Sequence, residues 1–287
     1  MVQGMYTPER RIKSIVVTLV FLLVWGHFTG TPLLDARRVD RVTYQYRERE
    51  KDLKENLARF SVGHFEILTD QPMSKEYQEV VRKVIRDASQ TVDSDFGYTP
   101  DDTMEILLLS TPTYRQVSDP RLSSGGFYAN KKIRIRINID LSLPAESLGL
   151  KLQETFLHEY THLVICASDG GRTPRWLEEG LAEYEERGKG TGLEDEGQSF
   201  VRYMESRGKK VETAKFFKKD LWKQYRESGR DFYSQSYVIA KHLVEKYGFE
   251  KLRELLSTMK KGSAFTTAFR RIYGITPEEL ATEAYQN

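Results

Sequence analysis

Residues 154–166 read ETFLHEYTHLVIC, and three polar side chains in this apolar stretch govern the reading of the whole chain. His158 and His162 are four apart, so on a helix they share one face with Cβ atoms about 5–6 Å apart. Two imidazoles at that separation converge on one Zn²⁺ at roughly 2.0–2.1 Å each. Glu159 projects to the flank of the same site, within reach of a water on the ion rather than of the ion itself. Five histidines in 287 positions make the pattern His-Glu-x-x-His a chance event at roughly 0.008 expected copies.

A catalytic zinc takes three protein ligands and keeps one position open, so a third ligand is needed. The stretch TPRWLEEGLAEYEE, 173–186, reads as a second helix with Thr173 as N-cap, Pro174 at the first helical position and Gly188 as the stop. Glu179 and Glu183 are four apart and share a face, whereas Glu178 points about 100° away from Glu179. One of the pair, Glu179 or Glu183, binds the metal while the other holds a ligating histidine in its tautomer. Glu185 and Glu186 read as a solvated helix end. Cys166 lies eight residues from His158, about 12 Å of helix rise, too far to share the ion, and reads as a core residue. His64 and His242 are isolated and read as packing or surface histidines, and His27 belongs to the apolar leader.

His158-Glu159-x-x-His162 followed by Glu179 in WLEEGLAEY resembles the gluzincin branch of zinc metallopeptidases, the peptidase MA-like group. The resemblance implies Glu179 as the third zinc ligand and Glu183 as a carboxylate behind the ligands. Downstream, YSQSYVIAKHLVEKYG, 233–248, is similar to the gluzincin aminopeptidase helix that opens on a transition-state-stabilising tyrosine, which implies that role for Tyr233, with Tyr237 second. Where the aminopeptidases carry Gly-x-Met-Glu-Asn to bind a free amine, this chain has SGGFYAN, and the expected activity is that of an endopeptidase on peptide or protein substrates. Two other readings stand beside it. One is a non-catalytic zinc module, disfavoured because no fourth His or Cys lies near the helix pair. The other is a membrane-associated interaction protein on a peptidase-like scaffold, disfavoured because nothing structural demands Glu159.

Composition sets the frame. With 39% hydrophobic residues, the 287-residue chain buries a real core, which excludes a purely disordered protein. Lys+Arg 44 against Asp+Glu 42, and no basic stretch interleaved with aromatics, exclude nucleic acid as the partner. Cys166 is the single cysteine, so no intrachain disulfide forms.

At the N-terminus Arg10, Arg11 and Lys13 precede an apolar run from Ile15 to Trp25, which makes residues 1–30 an export signal or a membrane anchor, contacting the membrane through 12–28. Fourteen residues rise about 21 Å against a hydrocarbon layer roughly 30 Å thick, so both remain open. Either places the protein outside the cytoplasm. Residues 31–60 carry Val39, Val42, Tyr46, Leu53, Leu57 and Phe60 at helical intervals, a helical linker or stalk. From 61 the chain reads as an α+β, zincin-like domain to 287. HFEILT, MEILLLS and KKIRIRINID are strands of a small mixed sheet, and SKEYQEVVRKVIRDASQTV is a helix between the first two. In the last strand Ile133, Ile135, Ile137 and Ile139 alternate with Arg134, Arg136 and Asn138, which suits an edge strand with a charged outer face. The sheet and zinc helices fill 61–190, and a mainly helical lobe, closing with a Thr276/Glu279 capping box, fills 191–287.

Overall fold

A two-residue turn at Gly63-His64 starts the sheet one strand earlier than the sequence indicates. The computed structural model describes residues 50, 52–100, 103–117, 134–187, 196–211, 213–217 and 221–286. In it β1 (Ala58–Val62) pairs antiparallel with β2 (Phe65–Thr69), Val62 opposite Phe65. Gly63 sits at φ 57°, the positive region that tight hairpins require and glycine enters without a Cβ penalty. The expected helical segment 31–60 is corrected only at its end: residues 52–54 are helical, but 58–60 belong to a strand, where the turn register and not the three-residue spacing from Leu57 decides the fate of Phe60. Residues 31–49 and the expected export segment 1–30 lie outside the described residues. Among those described, no helix is long and apolar enough to cross a membrane.

The chain divides into two units, Met1–Asn56 with Gln116–Asp119, and Leu57–Arg115 with Pro120–Asn287. The sheet and the helices that carry the site lie in the second. There β2 runs parallel to β3 (Met104–Leu109) and β3 parallel to β4 (Arg134–Asn138), giving the order β1-β2-β3-β4 and the mixed sheet expected. Phe65, Ile67, Met104, Ile106, Leu108 and Ile137 share one face and join the main core. Leu68, Leu107 and Leu109 on the other face are equally inaccessible. A strand buried on both faces needs no polar alternation, which is why MEILLL reads as one apolar run. The side chains of Arg134 and Arg136, expected to face outward, lie outside the described residues.

Helix α1 (Lys75–Phe96) begins where the Ser74 hydroxyl accepts the Tyr77 N–H, and it buries the stripe Val81, Ile85, Ala88, Val92, Phe96. Short α2 (Thr111–Val117) starts beside Asp70, whose carboxylate accepts the Ser110 N–H at 2.8 Å and so ties the end of β2 to the end of β3. Helix α3 (Ala145–Asp169) carries the His-Glu-x-x-His stretch. Its inward side is fixed by aromatic contacts: Phe65 meets Phe156 and Tyr160 edge-on, those two stack at 5.3 Å, and the Tyr160 hydroxyl donates to Asp93 of α1 at 2.7 Å. The histidines are thereby turned toward α4 (Arg175–Arg187).

Beyond α5 (Glu196–Ser206) and α6 (Thr213–Phe216), the 40-residue α7 (Leu221–Lys260) spans the helical part. It is followed by α8 (Phe265–Tyr273) and α9 (Pro277–Ala284), the last opening with the Thr276/Glu279 capping box read from the sequence. The helical part beyond residue 190 shares its core with the part before it. Leu243, Leu252 and Leu256 of α7 share one continuous cluster with Phe156 of α3, Leu181 of α4 and Ile106 of the sheet.

Gly180 lets α4 and α7 touch backbone to backbone. A Cβ there collides with the carbonyl oxygen of Ser236 and falls 2.7 Å from the Ala240 Cβ. Gly180→Ala is expected to force the helices apart and lower stability by about 1–3 kcal/mol, read as a drop in denaturation midpoint. An unchanged midpoint would mean that the close approach is not made.

Candidate metal centre

The two ligand-bearing helices are joined by a fixed elbow. The Asp169 carboxylate, fully buried, accepts the N–H groups of Gly171 at 2.6 Å, Arg172 at 2.9 Å and Thr173. Arg172 Nη1 donates to the carbonyls of Met259 and Lys260 at 2.5 and 2.9 Å, tying the elbow to the end of α7. These bonds set the angle at which α4 leaves α3, and with it which α4 carboxylates reach the histidines.

Three donor atoms meet as a result. His158 Nε2 and His162 Nε2 are 3.2 Å apart, and Glu179 Oε2 lies 3.4 Å from the first and 3.3 Å from the second. Ligands held at about 2.0–2.1 Å around a tetrahedral zinc are separated by about 3.3–3.4 Å, the edge of that tetrahedron. The triangle therefore fits the face of such a site. His158, His162 and Glu179 together form a group able to hold a metal ion.

The tautomers point the same way. His158 Nδ1 lies 2.8 Å from Glu186 Oε2, and His162 Nδ1 lies 3.0 Å from Glu178 Oε1. A carboxylate only accepts, so each Nδ1 carries a proton, and in its neutral form each ring turns the Nε2 lone pair toward Glu179 Oε2. Three lone pairs aimed at one another in a buried pocket repel unless a cation lies among them. Neither Glu179 oxygen has a hydrogen-bond partner in this setting, although Oε1 forms an ion pair with Arg175.

The demand for positive charge is visible in proton affinities. Burial opposes a charge on His158, but the nearby carboxylates of Glu179 and Glu186 outweigh it and push its pKa up to about 10. For His162 burial is likewise outweighed, by Glu178 and Glu179, and its pKa rises to about 9. Burial raises the Glu179 carboxyl, yet its contacts with both histidines overcome this and hold it well below the usual carboxylate range. Glu159 differs: it is buried at 6% exposure, and that burial carries its pKa upward against the pull of His162 and His158. It sits beside the triad as a carboxylate with raised proton affinity.

The remaining expectations divide. Glu183 lies within 4.8 Å of His158 and Glu186 in a second group of possible ligands, but its carboxylate pairs with Arg187 at 2.8 Å. The carboxylates that orient the histidines are instead Glu178, expected to point away, and Glu186, expected in solvent. Glu185, also expected in solvent, is 2% exposed. The signal that finds Glu178 is its adjacency to the candidate ligand Glu179 at a helix start, which puts it beside the neighbouring helix and not only on its own helix's flank. Tyr233 in α7 is half-buried, with the Phe232 ring 6.1 Å away. Tyr237 is in the core at 3% exposure, with the Arg187 guanidinium 4.0 Å over its ring. Cys166, expected in the core, is partly exposed near Gly171. His64 packs on Phe65 at 4.1 Å and His242 lies 3.5 Å from Glu283, both away from the triad. An open cavity of about 690 Å³ around His64, Arg86, Asp93 and Tyr98 includes no residue of the metal centre.

A small mixed sheet, a helix crossing it with two histidines, and a second helix returning a glutamate are the parts of a metallopeptidase-type architecture. Residues 138–287 match the family model described as the Peptidase MA superfamily, and the chain, more than half of which is matched, belongs to that superfamily. No curated protein matches the chain.

Proposed function

We propose that this protein is a zinc-dependent endopeptidase in which His158, His162 and Glu179 hold Zn²⁺ and Glu159 is the general base. The observation that carries this reading is the convergence of three lone-pair donors at 3.2–3.4 Å, those of His162 and Glu179 buried and that of His158 partly so, with Glu159 one residue from the first of them. When bound, the ion supplies Lewis acidity to the scissile carbonyl and lowers the pKa of a water to about 7.

Glu159 takes the proton from the attacking water and returns it to the leaving amine. Burial suits it to both steps, because a raised pKa brings a carboxylate closer to the working pH. Glu186 and Glu178 keep the Nδ1 protons in place, so the Nε2 lone pairs stay directed at the ion. Tyr233 donates a hydrogen bond to the oxyanion that develops on the substrate. Among the described residues strand β4 ends the sheet, and its outer edge takes an extended peptide by strand addition, which favours cleavage within a chain. The N-terminal run behind Arg10, Arg11 and Lys13 delivers the domain outside the cytoplasm, which protease accessibility of intact cells tests.

The deciding measurement is zinc content of the purified full chain together with casein and peptide-library hydrolysis, with and without chelator. One zinc per chain and hydrolysis that chelator removes and zinc restores are expected. Hydrolysis indifferent to chelator, or no zinc uptake, overturns the assignment. Tyr233→Phe is expected to lower turnover about 10²- to 10³-fold at unchanged zinc content; if Tyr237→Phe does so instead, the donor is one turn further along α7.

A further inference from the structure

Glu179 has two oxygens with different neighbours. Oε2 faces both histidine Nε2 atoms, while Oε1 is paired with the Arg175 guanidinium from one helical turn earlier on α4. The same guanidinium reaches Glu178 Oε2 at 3.6 Å, and the other Glu178 oxygen takes His162 Nδ1 at 3.0 Å. One cation therefore bridges the oxygen ligand and the carboxylate behind a nitrogen ligand. Arg175 itself is about half exposed and Glu179 is 1% exposed, so the contact draws the charge of a solvated side chain onto a buried carboxylate.

We infer that Arg175 is a positioning residue that holds Glu179 as a one-oxygen ligand and fixes Glu178 on His162. The inference rests on the zinc reading above and extends it to a residue outside the ligand set. If both Glu179 oxygens turned to the ion, they would take up the position a catalytic zinc keeps open for water. A planar fork can hold Oε1 and Glu178 together, and an ammonium cannot hold both in that fixed geometry. The neighbouring glutamates explain why a cation belongs here. Glu159, Glu178 and Glu179 crowd the triad, and without Arg175 the repulsion between Glu178 and Glu179 pushes apart two groups that must meet the same histidine.

The test uses the full-length chain and its Arg175→Met and Arg175→Lys variants, loaded with zinc or, for spectroscopy, with Co²⁺. Arg175→Met keeps the hydrophobic stem and removes the charge. Its zinc dissociation constant, measured by chelator competition, is expected to rise about 10- to 100-fold, the usual cost of losing an outer partner of a ligand. Its cobalt form is expected to lose visible-absorption intensity as the coordination number rises above four. Arg175→Lys is expected to recover part of the affinity. A role confined to folding would lower the denaturation midpoint of Arg175→Met yet leave the affinity and the cobalt spectrum of its folded fraction as in the wild type, and that result overturns the inference alone. A wild-type chain that binds neither ion overturns the zinc reading and the inference with it.

Discussion

Glu159→Gln is expected to remove about 10²- to 10⁴-fold of the hydrolytic rate while the purified protein still carries one zinc per chain. The two halves of that result separate base from ligand. Gln keeps the size of Glu and cannot accept the proton of the attacking water. Burial at 6% exposure leaves little room for bulk solvent to substitute. The triad donors are His158, His162 and Glu179, so the variant leaves every ligand atom in place. Turnover of a casein substrate beside elemental zinc analysis checks both halves. Retained hydrolysis takes Glu159 out of the base role, and lost zinc makes it part of the metal cage.

His162→Ala is expected to bring zinc content from one per chain to near none. Its ring supplies one corner of the donor triangle and is 8% exposed, so no external ligand readily takes its place. Stability separates this loss from simple misfolding. An ion at 100 times its dissociation constant stabilises the folded state by about 2.7 kcal/mol, so chelator should lower the melting temperature of the wild type. The His162→Ala protein should melt lower at the outset and take no further shift from chelator. A variant that keeps stoichiometric zinc contradicts the ligand role of His162.

Much of this centre is legible in the residue order because its principal spacing is local. His158 and His162 share a face by helical period alone, a second helix announced by Thr173-Pro174 offers Glu179 or Glu183, and the resemblance to the gluzincins in the Trp-Leu-Glu-Glu-Gly run selects Glu179. The central strands and the capping box of α9 are legible for the same reason. The assignment of Glu178 and Glu186 as the histidine partners is not. A carboxylate's position on its own helix tells which way it leaves the backbone, but the crossing of α4 over α3 decides what it meets, and that crossing is set at the elbow, where Asp169 holds the backbone N–H groups of Gly171 and Arg172. Strand β1 escaped for a related reason. Its partner β2, reached through Gly63, converts an apolar spacing compatible with a helix into a strand edge.

The Asp169 elbow also bears on how the protein comes to be folded. Every donor and both histidine partners lie between His158 and Glu186, so the cage closes through contacts of short sequence separation. Such contacts carry a small loop-closure cost and form ahead of pairings that join distant strands. A helical hairpin bent by its own carboxylate thus brings its three candidate ligands together through contacts that do not depend on the pairing of β1.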